Sequence, residues 1–178
     1  MLIALWLLVA QGALGTFDTL YYHEYKLHLP SQPHARHELQ LHAFHDFAYA
    51  LLFFTIGWFT WNGLFAWLFL LLLLTEIIIT LADFLEEDRT RKLPPGERVM
   101  HALMGIVYGL FLAYLLPNVY HWMQQPTGFA HVYYGNYAYL SWLLTVMAGG
   151  VLASGLRDYI SAQKRAEWPT LFGRKPTS

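Results

Sequence analysis

One block of the sequence is apolar for long enough to cross a lipid bilayer. It covers residues 64–82, and only Thr75, Glu76 and Thr80 interrupt it. Because about 20 predominantly apolar residues in a helix span the hydrocarbon core of a bilayer, the block predicts a transmembrane helix. It is the strongest indication of a membrane span in the sequence.

The composition extends this prediction to the whole chain. Asp, Glu, Lys and Arg make up 13% of the 178 residues, about half the share in an average soluble domain. Four further apolar stretches are candidates for spans: residues 1–16, 44–59, 99–116 and 137–156. We therefore predict an all-α, polytopic membrane helical bundle with about five transmembrane helices, forming a single domain over residues 1–160.

The first of these stretches has an alternative interpretation. Residues 1–16 are short for a span, and Ala13-Leu14-Gly15 resembles a signal-peptidase site. However, no Lys or Arg precedes the apolar run, as it would in a signal peptide. We therefore expect this stretch to be retained as the first span.

The eleven Lys and Arg residues fall in three segments. They lie between the first and second predicted spans, between the third and fourth, and from Arg157 onward. Because cytoplasmic loops collect such residues, residues 17–43, residues 83–98 and the C-terminus are predicted to be cytoplasmic and the N-terminus outside. The expected location is a bacterial-type inner (plasma) membrane, with residues 161–178 as a loose cytoplasmic tail. The net charge of −1 gives no bias towards a nucleic-acid partner.

Histidines and carboxylates gather on the predicted cytoplasmic side. Seven of the nine histidines lie there together with every carboxylate, at positions 23, 28, 34, 37, 42, 45 and 101. Helical bundles build metal sites from such side chains on facing helices. The chain has no cysteine, so a metal here would have nitrogen and oxygen ligands.

The spacing of these groups predicts polar stripes on two helices. In the segment entering the second span, the stripe comprises Glu38, His42, His45 and Asp46, at i, i+4, i+7 and i+8. On the third span, it comprises Glu76, Thr80, Asp83 and Glu87, at i, i+4, i+7 and i+11. Residues at these offsets share one face of a helix, so each stripe can present several ligands to one ion.

Two other segments repeat the i, i+4 spacing. They are Glu97 with His101 at the start of the fourth span, and Glu24 with His28 after the first. Four segments therefore offer carboxylate or imidazole groups at one membrane depth. The predicted metal ligands are His23, His37, Glu38, His42, His45, Glu76, Asp83, Glu97 and His101.

Glu76 is the most constrained of these residues because it lies inside the longest apolar block. It is about two helical turns, or ~10 Å, deeper than Asp83. A bare carboxylate at such a depth costs at least ~2.5 kcal/mol on insertion scales, so it needs a proton, a hydrogen bond or a cation. A metal ion is one solution, and a hydrogen bond to a Ser, Thr or Tyr on a neighbouring span is the alternative.

The histidine clusters at 23/28, 34/37 and 42/45 resemble a known arrangement. Their layout is similar to that of the integral-membrane, histidine-rich non-haem di-iron enzymes, the fatty-acid hydroxylases and desaturases. Those families carry adjacent His-His pairs, whereas this chain has E-x-x-x-H at Glu38 and at Glu97. The resemblance implies two non-haem iron ions, or manganese or zinc, and an O2-dependent oxidoreductase acting on a lipid or isoprenoid chain.

The resemblance also implies partners. The hydrophobic substrate would lie among the spans, where Tyr108 could donate a hydrogen bond. Electrons would come from a separate donor protein, because the chain carries no nucleotide or flavin fingerprint. A homo- or hetero-oligomer is compatible with the sequence.

Several alternatives remain open. Haem b or a quinone-linked subunit would use His42 or His45 with His101 as axial ligands. Residues 83–96 look like the Asp-rich loops that hold magnesium and diphosphate in intramembrane prenyltransferases. The chain could also be a non-catalytic subunit of a larger membrane complex. Two further interpretations give these residues a structural role without a metal. Residues 23–45 would form an interfacial helix, and Glu86 and Asp88 would form solvated salt bridges.

Overall fold

The computed structural model describes residues 1–32 and 35–163, and in these ranges five long helices dominate. They are α1 (Leu2–Phe17), α2 (Arg36–Trp58), α3 (Leu64–Thr90), α4 (Pro95–Met123) and α5 (Tyr139–Gln163). A π-helix, Asp18–Lys26, continues α1, and short 3-10 turns lie at Leu29–Ser31 and Gly135–Tyr137. His34 and residues 164–178 of the predicted tail lie outside the described residues, whereas residues 161–163 continue α5.

The bundle is all-α, but the predicted number of spans is wrong. Four helical segments of the described chain are long and apolar enough to cross a membrane: Leu2–Lys26, Leu64–Thr90, Pro95–Met123 and Gly135–Gln163. The predicted span at residues 44–59 forms part of α2, which is not among them.

The position of α2 explains this difference. Its first half carries charged and histidine side chains, and the helix packs along α5 and α3. Glu38 is fully buried in that half, and Phe53 and Ile56 are fully buried in the other. The polar groups of the first half lower the mean hydropathy of α2, although Phe44, Leu51 and Phe54 on the same helix are 45–52% exposed.

A small antiparallel ribbon closes one end of the bundle. Its strands are β1 (Phe59–Asn62) and β2 (Gly128–His131), and Trp61 pairs with Phe129. The chain leaves β1 through Gly63, which has a φ of +60°, and a Cβ there would lie 2.5–2.7 Å from atoms of Thr127. Glycine is therefore required at the start of α3.

The interior of the bundle is divided into an apolar half and a polar half. The apolar core lies towards the ribbon and includes Leu8, Phe53, Phe69, Phe111 and Leu144. The opposite half contains the connection between α3 and α4 together with the π-helix, and most of the buried charged groups lie there.

Candidate metal centre

Eight carboxylates are buried in the described part of the chain. They are Asp18, Glu24, Glu38, Glu76, Asp83, Glu87, Glu97 and Asp158. Two guanidinium groups among the described residues, those of Arg91 and Arg157, form ion pairs with members of this set. Eight negative charges against two positive ones leave six carboxylates that need protons, imidazolium groups or metal ions for neutralisation.

Two histidines and two glutamates form one compact group. His23, Glu87, Glu97 and His101 are all buried, and each offers one ligand atom within 4.8 Å of the others. His23 Nε2 lies 3.6 Å from Glu97 Oε1, and His101 Nδ1 lies 3.4 Å from Glu87 Oε2. The side chains come from the π-helix, α3 and α4, so one ion at this position would join three elements.

The π-helix brings a further carboxylate to this group. Asp18 and His23 are five residues apart, a spacing that places them together in a π-helix but not on an α-helical face. Asp18 Oδ2 lies 3.3 Å from His23 Nε2 and 3.5 Å from His101 Nε2. Spacings of three and four residues do not reveal Asp18, and the i, i+5 spacing to His23 is the signal that points to it.

A second group shares Glu87 with the first. Its members are Glu38, His42 and Glu87, and their ligand atoms also lie within 4.8 Å of one another. The His42 ring stacks on the His23 ring with centroids 4.5 Å apart, and its Nε2 lies 2.9 Å from Asp83 Oδ2. Burial lowers the pKa of His42, but the Asp83 carboxylate outweighs burial and raises that pKa well above its usual value. Glu87 is therefore common to both groups.

Arg91 joins three of the glutamates. Its Nη2 donates hydrogen bonds to Glu38 at 2.9 Å, to Glu87 at 3.0 Å and to Glu97 at 2.7 Å. Burial lowers the pKa of Arg91, but its hydrogen bonds to Glu97 and Glu38 outweigh that and raise the pKa above its ordinary value. Arg91 lies in the predicted cytoplasmic connection, yet its side chain is only 10% exposed. The sequence does not predict this burial, because nothing in the local sequence distinguishes Arg91 from the basic residues beside it.

Four potential ligand atoms in or beside the two groups are buried without a hydrogen-bond partner. They are Asp18 Oδ1, His23 Nε2, Asp83 Oδ1 and Glu87 Oε2. An unsatisfied buried polar group costs roughly 1–3 kcal/mol, and more when it is charged. A divalent cation would accept these lone pairs. A set of nitrogen and oxygen donors without sulfur fits iron, manganese or zinc.

The nine predicted ligands fall into three sets. Five of them, His23, Glu38, His42, Glu97 and His101, enter the two groups, and Asp83 contacts His42.

Two predicted ligands form a separate, deeper set. His45 Nδ1 lies 3.5 Å from Glu76 Oε1, and Thr80 donates to the same oxygen at 2.9 Å. The remaining predicted ligand is His37, whose side chain is 62% exposed and lies 3.5 Å from Glu86. Glu76 and His37 thus lie outside both groups, and Glu76 has a hydrogen bond from a threonine of its own helix.

A cavity of about 740 Å³ begins at the histidines of the two groups and extends between the helices. Its polar end includes His23, Asp83 and His101, and its apolar wall includes Phe53, Ile77, Leu81, Met104, Val146 and Met147. Leu81 is 57% exposed and Val146 is 72% exposed. The cavity therefore reaches the surface beside side chains that face the surroundings of the bundle.

Comparisons with protein-family models, with curated proteins and with solved structures find no match to this chain.

Proposed function

We propose that this protein is an integral-membrane metalloenzyme, an oxidoreductase of the hydroxylase or desaturase type that acts on a lipid or isoprenoid chain. One observation carries the proposal. Two groups of histidines and buried carboxylates share Glu87, and their histidines, His23, His42 and His101, line the polar end of a cavity whose remaining wall is largely apolar. Ligand pockets commonly combine an apolar wall with a few polar groups that perform or direct the chemistry.

The proposed centre holds two metal ions, iron in the first place and manganese or zinc as alternatives. The first ion would be held by His23, Glu97 and His101 and the second by Glu38 and His42, and Glu87 is available to either ion. When bound, such ions supply redox chemistry that amino-acid side chains cannot perform. The two guanidinium groups balance two of the eight buried carboxylate charges, and two dications would neutralise four of the remaining six.

The residues of the chain would bind and orient the substrate. Phe53, Ile77, Met104 and Met147 would contact an apolar chain and keep water from the polar end. Entry beside Leu81 and Val146 suits a substrate dissolved in the bilayer. The electrons would come from a separate donor protein, which fits the lack of a nucleotide or flavin fingerprint in the sequence.

The proposed location is a bacterial-type inner membrane with the metal centre facing the cytoplasm. This sidedness depends on the distribution of Lys and Arg and places the connection between α3 and α4 inside. The N-terminus would then be outside. The proposal leaves room for a homo- or hetero-oligomer.

Metal analysis of the detergent-purified full chain tests this function. We expect about two iron, manganese or zinc ions per chain and no haem Soret band. Glu87→Gln should remove most of both ions because both groups contain Glu87, whereas His101→Ala should remove about half. Glu86→Gln, on the neighbouring residue outside both groups, is the matched control and should keep the full metal content.

Other outcomes would contradict the proposal. A Soret band would favour the haem-b subunit, and magnesium-dependent diphosphate binding would favour the prenyltransferase-like alternative. A wild-type protein that binds no transition metal after reconstitution would support a non-catalytic subunit. Full metal retention in Glu87→Gln would refute the assigned ligands.

A further inference from the structure

A second set of buried polar atoms lies deeper in the same cavity. Glu76 Oε2, Gln11 Oε1 and Tyr108 Oη are buried and have no hydrogen-bond partner. Glu76 is 3% exposed and Gln11 is 8% exposed, and all three residues line the cavity. Atoms of this kind carry an energetic cost that a ligand with matching polar groups would remove.

The neighbouring contacts determine which atoms are available. Thr80 occupies Glu76 Oε1 with a hydrogen bond of 2.9 Å, and Gln11 Nε2 donates to Tyr49 Oη at 3.3 Å. The rings of Tyr49 and Tyr108 lie 6.2 Å apart. Two acceptors, Glu76 Oε2 and Gln11 Oε1, and one hydroxyl, that of Tyr108, therefore have no partner within hydrogen-bond distance and can bind a ligand.

These atoms are separate from the two metal-ligand groups. Glu76 precedes Glu87 by eleven residues on α3, which corresponds to about 16 Å along the helix at 1.5 Å per residue. The walls in this region include Phe53, Ile77 and Met147. A ligand that satisfies the polar atoms must therefore present one polar group on an otherwise apolar body.

We propose that Glu76, Gln11 and Tyr108 form a subsite for the hydroxyl group of a long-chain or polyprenyl alcohol. A hydroxyl has one donor and two lone pairs. It can donate to Glu76 Oε2 or Gln11 Oε1 and accept from Tyr108, whereas an ether of the same length can only accept. This inference rests on the proposed function in one respect: the bound alcohol would be the substrate, and its chain would extend towards the metal centre.

Paired probes test the subsite directly. Equilibrium binding of tritiated dodecan-1-ol and of dodecyl methyl ether is measured on the full chain in lipid nanodiscs. A hydrogen bond to a charged group contributes enough to predict roughly 10- to 100-fold tighter binding of the alcohol. Equal affinity for the two probes would overturn the proposal.

Two variants place the binding at the proposed residues. Tyr108→Phe removes a hydroxyl that has no partner within hydrogen-bond distance, so the fold should be retained while alcohol affinity falls about three- to tenfold. Tyr114→Phe, on the same helix but 47% exposed, is the matched control and should leave the affinity unchanged. Glu76→Leu should remove the preference for the alcohol over the ether. Unchanged alcohol binding in Tyr108→Phe and Glu76→Leu would refute the subsite.

The metal content of every sample separates this inference from the proposed function. A wild-type protein without metal that still prefers the alcohol would refute the metalloenzyme and retain the subsite. A protein with two metal ions and no preference for the alcohol would refute the subsite and retain the metal centre.

Discussion

Replacement of Arg91 by leucine should destabilise the metal-free protein strongly. Its guanidinium group donates to Glu38, Glu87 and Glu97 at 2.7–3.0 Å, and its side chain is 10% exposed. Removing one partner of a buried ion pair costs about 3–5 kcal/mol, because the other charge stays buried without compensation. For a chain of this size each kcal/mol corresponds to about 2–4 °C, so Tm should fall by about 6–20 °C.

The matched control is the exposed ion pair between Arg98 and Asp88. Its N–O distance is also 3.0 Å, but both side chains are more than half exposed. Exposed pairs contribute about 0–1 kcal/mol, so Arg98→Leu should lower Tm by no more than about 4 °C. The assay is thermal unfolding in detergent, followed by tryptophan fluorescence after chelation of metals.

The same measurement with metal added tests the reason for the effect. Ions held by these glutamates would neutralise the buried charges that Arg91→Leu leaves without a partner, so the added metal should stabilise the variant more than the wild type. Equal losses of stability in the Arg91→Leu and Arg98→Leu variants without metal would contradict this prediction. Equal stabilisation of Arg91→Leu and the wild type by metal would also contradict it.

Three further predictions follow from the cavity, the ribbon and the metal centre. Gly105 lines the cavity and a Cβ there meets nothing within 4 Å, so Gly105→Leu should weaken binding of apolar chains at unchanged Tm. Gly109→Leu, equally open but outside the cavity lining, should have no effect on that binding. Gly63→Ala should cost about 1–3 kcal/mol in unfolding free energy, because its φ is +60° and the new methyl group would meet Thr127. Gly135→Ala, with a φ of +58° in open space, should cost less, and an equal loss would contradict the steric argument. Chelation followed by iron should lower and then restore both Tm and oxidation of a lipid chain, whereas metal-independent activity would refute the proposed chemistry.

The sequence predicts the all-α bundle and much of the polar cluster, because both depend on local patterns. The block at residues 64–82 lies within α3, and the stripe on that helix places Asp83 and Glu87 in the cluster. The i, i+4 pair of Glu97 and His101 also enters one group. These successes follow from the 3.6-residue period, which relates residues on one helix without knowledge of the others.

The number of spans and the shared ligand could not be derived in this way. α2 carries charged and histidine residues in one half, and its packing against α3 and α5 determines that Glu38 is buried there. The position of Glu87 in its stripe does not distinguish it from the other members. It belongs to both groups because α2 and α4 pack against α3. His37 has the same residue type as His42, but it lies at the exposed edge.

By itself, the sequence determined that apolar helices would form and that their polar residues would gather at one end. It did so because hydrophobicity and helical period are properties of neighbouring residues in the chain. The tertiary structure decided which of those residues meet: helix packing brought Asp18 to His101 and Arg91 to Glu38. Such contacts depend on the register between helices distant in sequence, which no local pattern encodes.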